Sequence, residues 1–118
     1  MTLTIQNEPS FSVVKIVKKQ LNSYNAPDLK AALMLLLGQG ISHIVLDLEE
    51  CEHSDSSGLS AILLGNRLCE DQEGTFILAN LSLNVEKLIK LASLDKVLII
   101  AANVQEAERL LNKKSELK

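Results

Sequence analysis

Apolar and polar positions along the chain follow two periods. Residues 2–6, Thr-Leu-Thr-Ile-Gln, alternate cleanly, and residues 11–17, Phe-Ser-Val-Val-Lys-Ile-Val, alternate in part and are rich in β-branched side chains. Both read as strands. The turn-like residues 7–10, Asn-Glu-Pro-Ser, separate them, so an antiparallel hairpin at a sheet edge is expected. The period then becomes helical. Leu29, Ala32, Leu33 and Leu36 follow the i, i+3, i+4, i+7 spacing. Pro27 suits a first helical position, with Asn25 or Ala26 before it, and Gly38 and Gly40 end the run.

Residues 43–48, His-Ile-Val-Leu-Asp-Leu, are almost continuously apolar, the mark of a strand covered on both faces. A second helix is expected over residues 57–69, carrying Leu59, Ile62, Leu63 and Leu68. Its Ala61 and Gly65 lie one turn apart, which permits close packing on a sheet. Residues 70–74 form a polar turn before a second buried strand at 75–79. Ser82 suits the N-cap of a third helix whose inner face holds Leu81, Val85, Leu88, Ile89 and Ala92. Residues 97–102 read as a further buried strand. Asn103 and Glu106 match a capping box that opens a last helix with Ala107, Leu110 and Leu111 inward, and residues 112–118 read as a fraying tail. The order ββαβαβαβα predicts an α/β fold with a mostly parallel sheet and right-handed crossovers.

Composition narrows the possible partners. The 118 residues suit one domain over 1–118. Aromatic residues are only 3 % (Phe11, Tyr24 and Phe76), so the core must be Leu, Ile, Val and Ala. Too few rings remain for a single-strand stacking platform, and a net charge of −3 argues against a duplex-binding surface. No nucleic-acid partner is expected. Cys51 and Cys69 are too few for a disulfide scaffold. Residues 1–10 show no secretory leader, and the longest apolar runs, 31–37 and 97–102, fall far short of the roughly 20 residues that span a bilayer. A cytoplasmic protein with reduced thiols and no membrane insertion is expected. The sequence does not specify an oligomeric state.

Common catalytic motifs are absent. There is no phosphate-binding glycine loop, dinucleotide fingerprint or nucleophile elbow. Ser115 and Lys118 match S-x-x-K, but within the expected tail, where chance explains them. Cys51 and His53 offer two potential metal ligands, with His43 and Cys69 remote; structural zinc uses four ligands in closer pairs, so neither metal nor cofactor is expected. The distinctive segment is Asp55-Ser-Ser-Gly-Leu59, placed after a buried strand and at the start of an apolar helix. Sites in open parallel sheets gather at such strand ends. One reading is structural: Asp55 or Ser56 caps the helix and Gly58 relieves crowding. The other is a phosphorylation switch, in which a serine gains about −1.5 to −2 charge beside the already acidic Glu49, Glu50, Glu52 and Asp55. Such a change would weaken docking of a partner rather than refold the domain. Catalysis is not expected, because only Asp55 and His53 neighbour the serines in sequence and a nucleophile needs an oriented base.

The chain resembles the STAS family, most closely its stand-alone anti-sigma factor antagonists. The resemblance spans nearly the whole chain and rests on Ile44-Val-Leu-Asp-Leu48, Asp55-Ser-Ser-Gly-Leu59, Leu64-Gly65, Leu81-Ser82, Val85, Leu88 and Leu94. It implies a four- to five-stranded mixed sheet flanked by about four helices, one strand antiparallel. It also implies a partner switch, in which the unmodified protein binds a serine-kinase anti-sigma factor and frees a sigma factor. The kinase then phosphorylates the first hydroxyl residue after the motif aspartate, and a phosphatase reverses this. Here that residue is Ser56, with Ser57 second. Asp55, Ser56, Ser57, Gly58, Leu59 and Ser60 would meet the partner, with Asn66 and Arg67 further along the same helix. Two departures stand out: Asn22 replaces an acidic residue near the switch, and Ser93 replaces a glycine before the third helix's closing Leu94. The alternative is a STAS adaptor, a subunit of a lipid ABC transporter or a signalling scaffold, with an unmodified docking loop.

Overall fold

Alternation along the strands sets the layers. Val14 and Ile16 turn to one face of the sheet, while Val13 turns to the other. Ile44 and Leu46 repeat this against Val45, and Phe76 and Leu78 against Ile77 and Ala79. The computed structural model describes the backbone of residues 1–116 and side chains through Lys113.

In chain order the elements are β1 (Leu3–Asn7), β2 (Ser12–Ile16), β3 (Gln20–Leu21), α1 (Ala26–Gly38), β4 (His43–Asp47), β5 (His53–Ser54), α2 (Ser56–Asp71), β6 (Thr75–Ala79), α3 (Leu83–Leu91), a 3-10 turn (Leu94–Lys96), β7 (Ile99–Ala101) and α4 (Val104–Glu116). Five strands form the main sheet in the order β1-β2-β4-β6-β7. The hairpin β1–β2 is antiparallel, with Leu3 opposite Ile16 and Asn7 opposite Ser12; the other pairings are parallel. Its turn is closed by Glu8 N–H donating to Phe11 O at 2.8 Å and Ser12 Oγ donating to Asn7 Oδ1 at 2.7 Å. The mixed α/β sheet expected from the sequence is therefore present. No helix of the described residues is long and apolar enough to cross a membrane.

The larger core lies under α1, α2 and α3, where Leu29, Leu33, Ile62 and Ile89 cover Ile16, Ile44, Leu46, Phe76 and Leu78. The opposite face is covered by α4, through Ala107 and Leu111 against Val45, Ile77 and Ala101. Gly65 explains how α2 gets so close. A Cβ there would lie 2.7 Å from the Phe76 ring and 3.0 Å from Leu33 Cδ1. The absent methyl group is the space that the one core aromatic under α2 occupies.

Four details depart from the sequence reading. The strand expected at 97–102 is only Ile99–Ala101, and it is an edge strand: Val97 is 54 % exposed and Ile100 38 %. Ala92 is not on the inner face of α3 but exposed at its C-cap. The pair β3 and β5 was carried by no hydrophobic period at all. Helix α4 extends through Glu116, over most of the stretch read as a tail; Leu117 and Lys118, and with them the end of the S-x-x-K match, lie outside the described residues.

Ser93 adopts φ 59°, ψ 23°, the left-handed conformation that glycine takes without a Cβ penalty. Ser93→Gly is expected to stabilise the fold by about 0.5–1 kcal/mol. Gly65→Ala, by contrast, is expected to cost about 1–3 kcal/mol through overpacking against Phe76. Urea unfolding of both variants measures these opposite shifts.

Candidate functional site

The D-S-S-G-L segment is held by backbone before any side chain acts. β3 and β5 pair in parallel, Gln20 with His53 and Leu21 with Ser54. Lys19 O accepts from the N–H groups of Glu52 at 2.7 Å and His53 at 3.0 Å, and Leu21 O accepts from Asp55 N–H at 3.2 Å. Leu21 itself is fully buried in the larger core. This short ladder therefore fastens the entry to α2 onto the hydrophobic interior.

Asp55, in extended conformation, is the N-cap of α2. Its Oδ1 accepts from Gly58 N–H at 3.0 Å, and its carbonyl accepts from Leu59 N–H at 3.0 Å. Of the two candidate caps, Asp55 takes the role and Ser56 becomes the first helical residue. Gly58 is buried, and a Cβ there would lie 2.6 Å from Leu21 O and 3.1 Å from Leu21 Cγ, and would collide with Ser54 Oγ. The glycine lets the first turn of α2 rest directly on the β3 backbone.

The side chains then divide by exposure. Ser56 and Ser60 are exposed, while Ser57 and Leu59 are half-buried. Among the described residues nothing bonds the Ser56 hydroxyl, and the N–H groups of Ser56 and Ser57 have no acceptor. The loop thus presents the exposed, unengaged hydroxyl of Ser56 above two open backbone donors, at the positive end of a 16-residue helix, while the Ser57 hydroxyl, likewise unbonded, is half-buried.

Beside it runs an open groove of about 800 Å³, lined by Ser56, Leu59, Ser60, Leu63 and Arg67 of α2, Lys30 of α1, and Leu94 and Val97. Sequence reasoning placed Asn66 with Arg67 as an exposed docking position. Arg67 is exposed, but Asn66 is 8 % exposed, and its Nδ2 donates to Glu70 Oε1 at 3.2 Å. Lys30 was not singled out, because its place at the groove depends on how α1 packs on α2. On the other side of Asp55 a cavity of about 310 Å³ is lined by Asn22, Tyr24, His53 and Ser54. Asn22 is spent locally: its Nδ2 donates to Gln20 Oε1 at 3.3 Å, and its Oδ1 accepts from Tyr24 N–H at 3.0 Å.

The acidic run is less concentrated than its sequence suggests. Lys15 Nζ lies 3.4 Å from Glu49 Oε1 and 3.2 Å from Glu50 Oε2, and these carboxylates raise the Lys15 pKa. Asp55 is engaged as a cap. Cys51 and His53 do not converge: Cys51 Sγ donates to His53 O at 3.3 Å, whereas His53 Nδ1 lies 3.3 Å from Asn84 Nδ2. No group of three or more metal-ligating side chains gathers among the described residues. Burial pushes the Cys51 thiol up, and pushes Cys69 up to about 12.

Comparison with known proteins bears on the whole chain. The STAS domain family model matches residues 2–107. A protein of Thermotoga maritima assigned as an anti-sigma factor antagonist is 25 % identical over 93 % of this chain and 94 % of that one, with a TM-score of 0.84. RsbS of Moorella thermoacetica, as a serine-to-glutamate variant, is 20 % identical over 98 % and 99 % of the two chains, with a TM-score of 0.82. The phosphorylated form of Bacillus SpoIIAA is 21 % identical over 92 % and 98 %, with a TM-score of 0.72. The last two likenesses show a shared fold.

Two outcomes follow from this geometry. Asp55→Ala is expected to lose about 1 kcal/mol of stability while Asp55→Asn, which still caps, loses far less; chemical denaturation checks the pair. Because burial raises the Cys69 thiol, the folded chain keeps its proton longer than the unfolded chain does. Stability should therefore be full below about pH 9 and fall as pH rises towards about 12, with Cys69→Ala flattening the profile of urea midpoints.

Proposed function

The chain belongs to the STAS domain family, and from that premise and the loop geometry we propose that it is an anti-sigma factor antagonist switched by phosphorylation of Ser56. Unmodified, it binds a serine-kinase anti-sigma factor through the Asp55–Gly58 loop, Leu59, Ser60 and the adjoining groove, and so releases a sigma factor. The observation that carries this reading is the isolation of Ser56. Its hydroxyl is exposed and unbonded on a loop whose position is fixed by other groups. A kinase can take that hydroxyl without unfolding anything. Ser57, half-buried one residue later, presents a poorer acceptor.

In the transfer, Ser56 Oγ bonds to the γ-phosphorus of ATP held by the kinase. The bond from that phosphorus to the β–γ bridging oxygen breaks, ADP departs, and the hydroxyl proton passes to a base of the kinase. This chain brings neither nucleotide nor cofactor and is the substrate. The open N–H groups of Ser56 and Ser57 and the helix dipole favour the added anion, so the modified loop is tolerated by its own fold. A phosphatase restores the hydroxyl by hydrolysis. The added charge and bulk then sit where the partner must dock. Among solved relatives, SpoIIAA has been seen in a phosphorylated form, and the fold shared with it is compatible with the same chemistry here.

A second reading, a STAS adaptor with an unmodified docking loop, draws support from Asn22. Where the resemblance implies an acidic side chain near the switch, this chain has an amide already bonded to Gln20 and Tyr24. The two readings part on one experiment. The protein is incubated with ATP and the anti-sigma kinase that co-purifies from its own cells, then weighed intact. Wild type is expected to gain one phosphoryl group and Ser56→Ala none. Equal labelling of Ser56→Ala would remove Ser56 from the switch, and recovery of a transporter subunit in place of a kinase would favour the adaptor.

A further inference from the structure

Lys30 and Ser56 belong to different helices yet line the same groove. Helices α1 and α2 each return the chain from the carboxyl end of one parallel strand to the start of the next, so they run in the same sense. Their registration is set where Leu33 meets Gly65. Lys30 lies about one turn before Leu33, level with the first half of α2. A long helical side chain leans toward the N-terminal end of its helix, which for Lys30 leads toward Ser60 and Ser56. Those two serines are four residues apart on one side of α2, and both are exposed.

The lysine is half-buried, and among the described residues no carboxylate lies within ion-pair distance of it. The other cation of the groove, Arg67, is eleven residues from Ser56 along α2, about 16 Å. The nearby acids are accounted for: Asp55 holds Gly58 N–H, and Glu70 holds Asn66 at the far end of the helix. Within the groove, Lys30 is thus the one ammonium placed to meet new negative charge at the Ser56 end.

We propose that Lys30 is the intramolecular counter-ion of phosphorylated Ser56. The inference rests on the reading of Ser56 as the modified residue and adds how the modified state is held. The phosphoseryl side chain is drawn into the groove, where it covers Ser60 and the mouth of the apolar channel between Leu59 and Leu63. The modified surface is then one defined shape. An unpaired phosphoserine would be a charge moving freely above the loop.

The test needs no kinase. Phosphoserine is installed at residue 56 by genetic incorporation, and the phosphorus resonance is titrated by NMR in wild type, Lys30→Met and Lys30→Arg. In wild type the second phosphate ionisation is expected about half a unit below its ordinary value near 6. Lys30→Met should raise it clearly above the wild-type value, leaving only the lowering that the helix N-terminus supplies, and Lys30→Arg should keep it at the wild-type value. The same titration in wild type and Lys30→Met, with thermal melts showing both folded, overturns the proposal. So does loss of the shift in Lys30→Arg. Because the phosphoserine is installed independently, failure of any kinase to label Ser56 would count against the functional reading alone, and leave this measurement standing.

Discussion

The site depends on the contact between Gly58 and the carbonyl of Leu21. Any side chain at residue 58 would need space that the β3 backbone already fills, with Leu21 O only 2.6 Å from the Cβ position. Leu21 is in turn immobilised by complete burial in the larger core. The first turn of α2 is therefore fixed to the interior through main-chain atoms and a missing methyl group. A hydrogen bond alone would hold it less firmly, since one contributes about 0.5–1.5 kcal/mol net. Here a strand pair at His53 and Ser54, a cap at Asp55 and a close contact at Gly58 act together. The loop can then present a hydroxyl that does none of the holding.

Charge around the loop is arranged more finely than a count of carboxylates implies. Glu49 and Glu50 face Lys15, which stands on the α4 side of the sheet beside Val13. Exposed ion pairs of this kind add little stability, yet they direct two of the four acids away from the groove. Glu52 anchors α3 through its carbonyl, which accepts from Ser82 Oγ at 2.9 Å. The result is a groove lined by Lys30 and Arg67 against, among the described residues, the single carboxylate Glu70, in a chain whose net charge is −3. A phosphoryl group on Ser56 would therefore meet a local field less repulsive than the sequence reading supposed, and its effect on a partner falls more to bulk and to lost contact than to long-range repulsion, which salt screens over about 10 Å.

Long elements were legible in the sequence because their periods come from burial. The four helices and the strands β2, β4 and β6 each cover a core face, and burial of a face writes itself as spacing, whereas of β1 only Leu3 packs against the core. β3 and β5 left no such trace. Each has two residues, and of Gln20, Leu21, His53 and Ser54 only Leu21 is apolar and buried. Their pairing is a consequence of where β2 and β4 end. Asn66 was misplaced for a related reason: helical geometry puts it beside Arg67, but it takes α2 to be flanked on both sides for one of two adjacent positions to be buried. Edge position was equally invisible. Val97 and Ile100 are as apolar as residues of a core strand, and only the strand order shows that they lie at the sheet edge, partly exposed. In the site itself, the D-S-S-G-L segment was readable as a unit, whereas the division of labour within it, Asp55 as cap and Ser56 as free hydroxyl, required backbone geometry.

That division decides what kind of switch the loop can support. If Ser56 capped the helix, its modification would cost the cap, about 1 kcal/mol, and disturb the turn that seats Gly58. Because Asp55 caps instead, the bonds that hold the turn all survive when Ser56 Oγ carries a phosphoryl group. Fold stability and surface identity are therefore uncoupled at adjacent residues. The core below is aliphatic and almost free of aromatic residues. A change at the exposed Ser56 acts first at the outer surface, where the proposed docking loop lies.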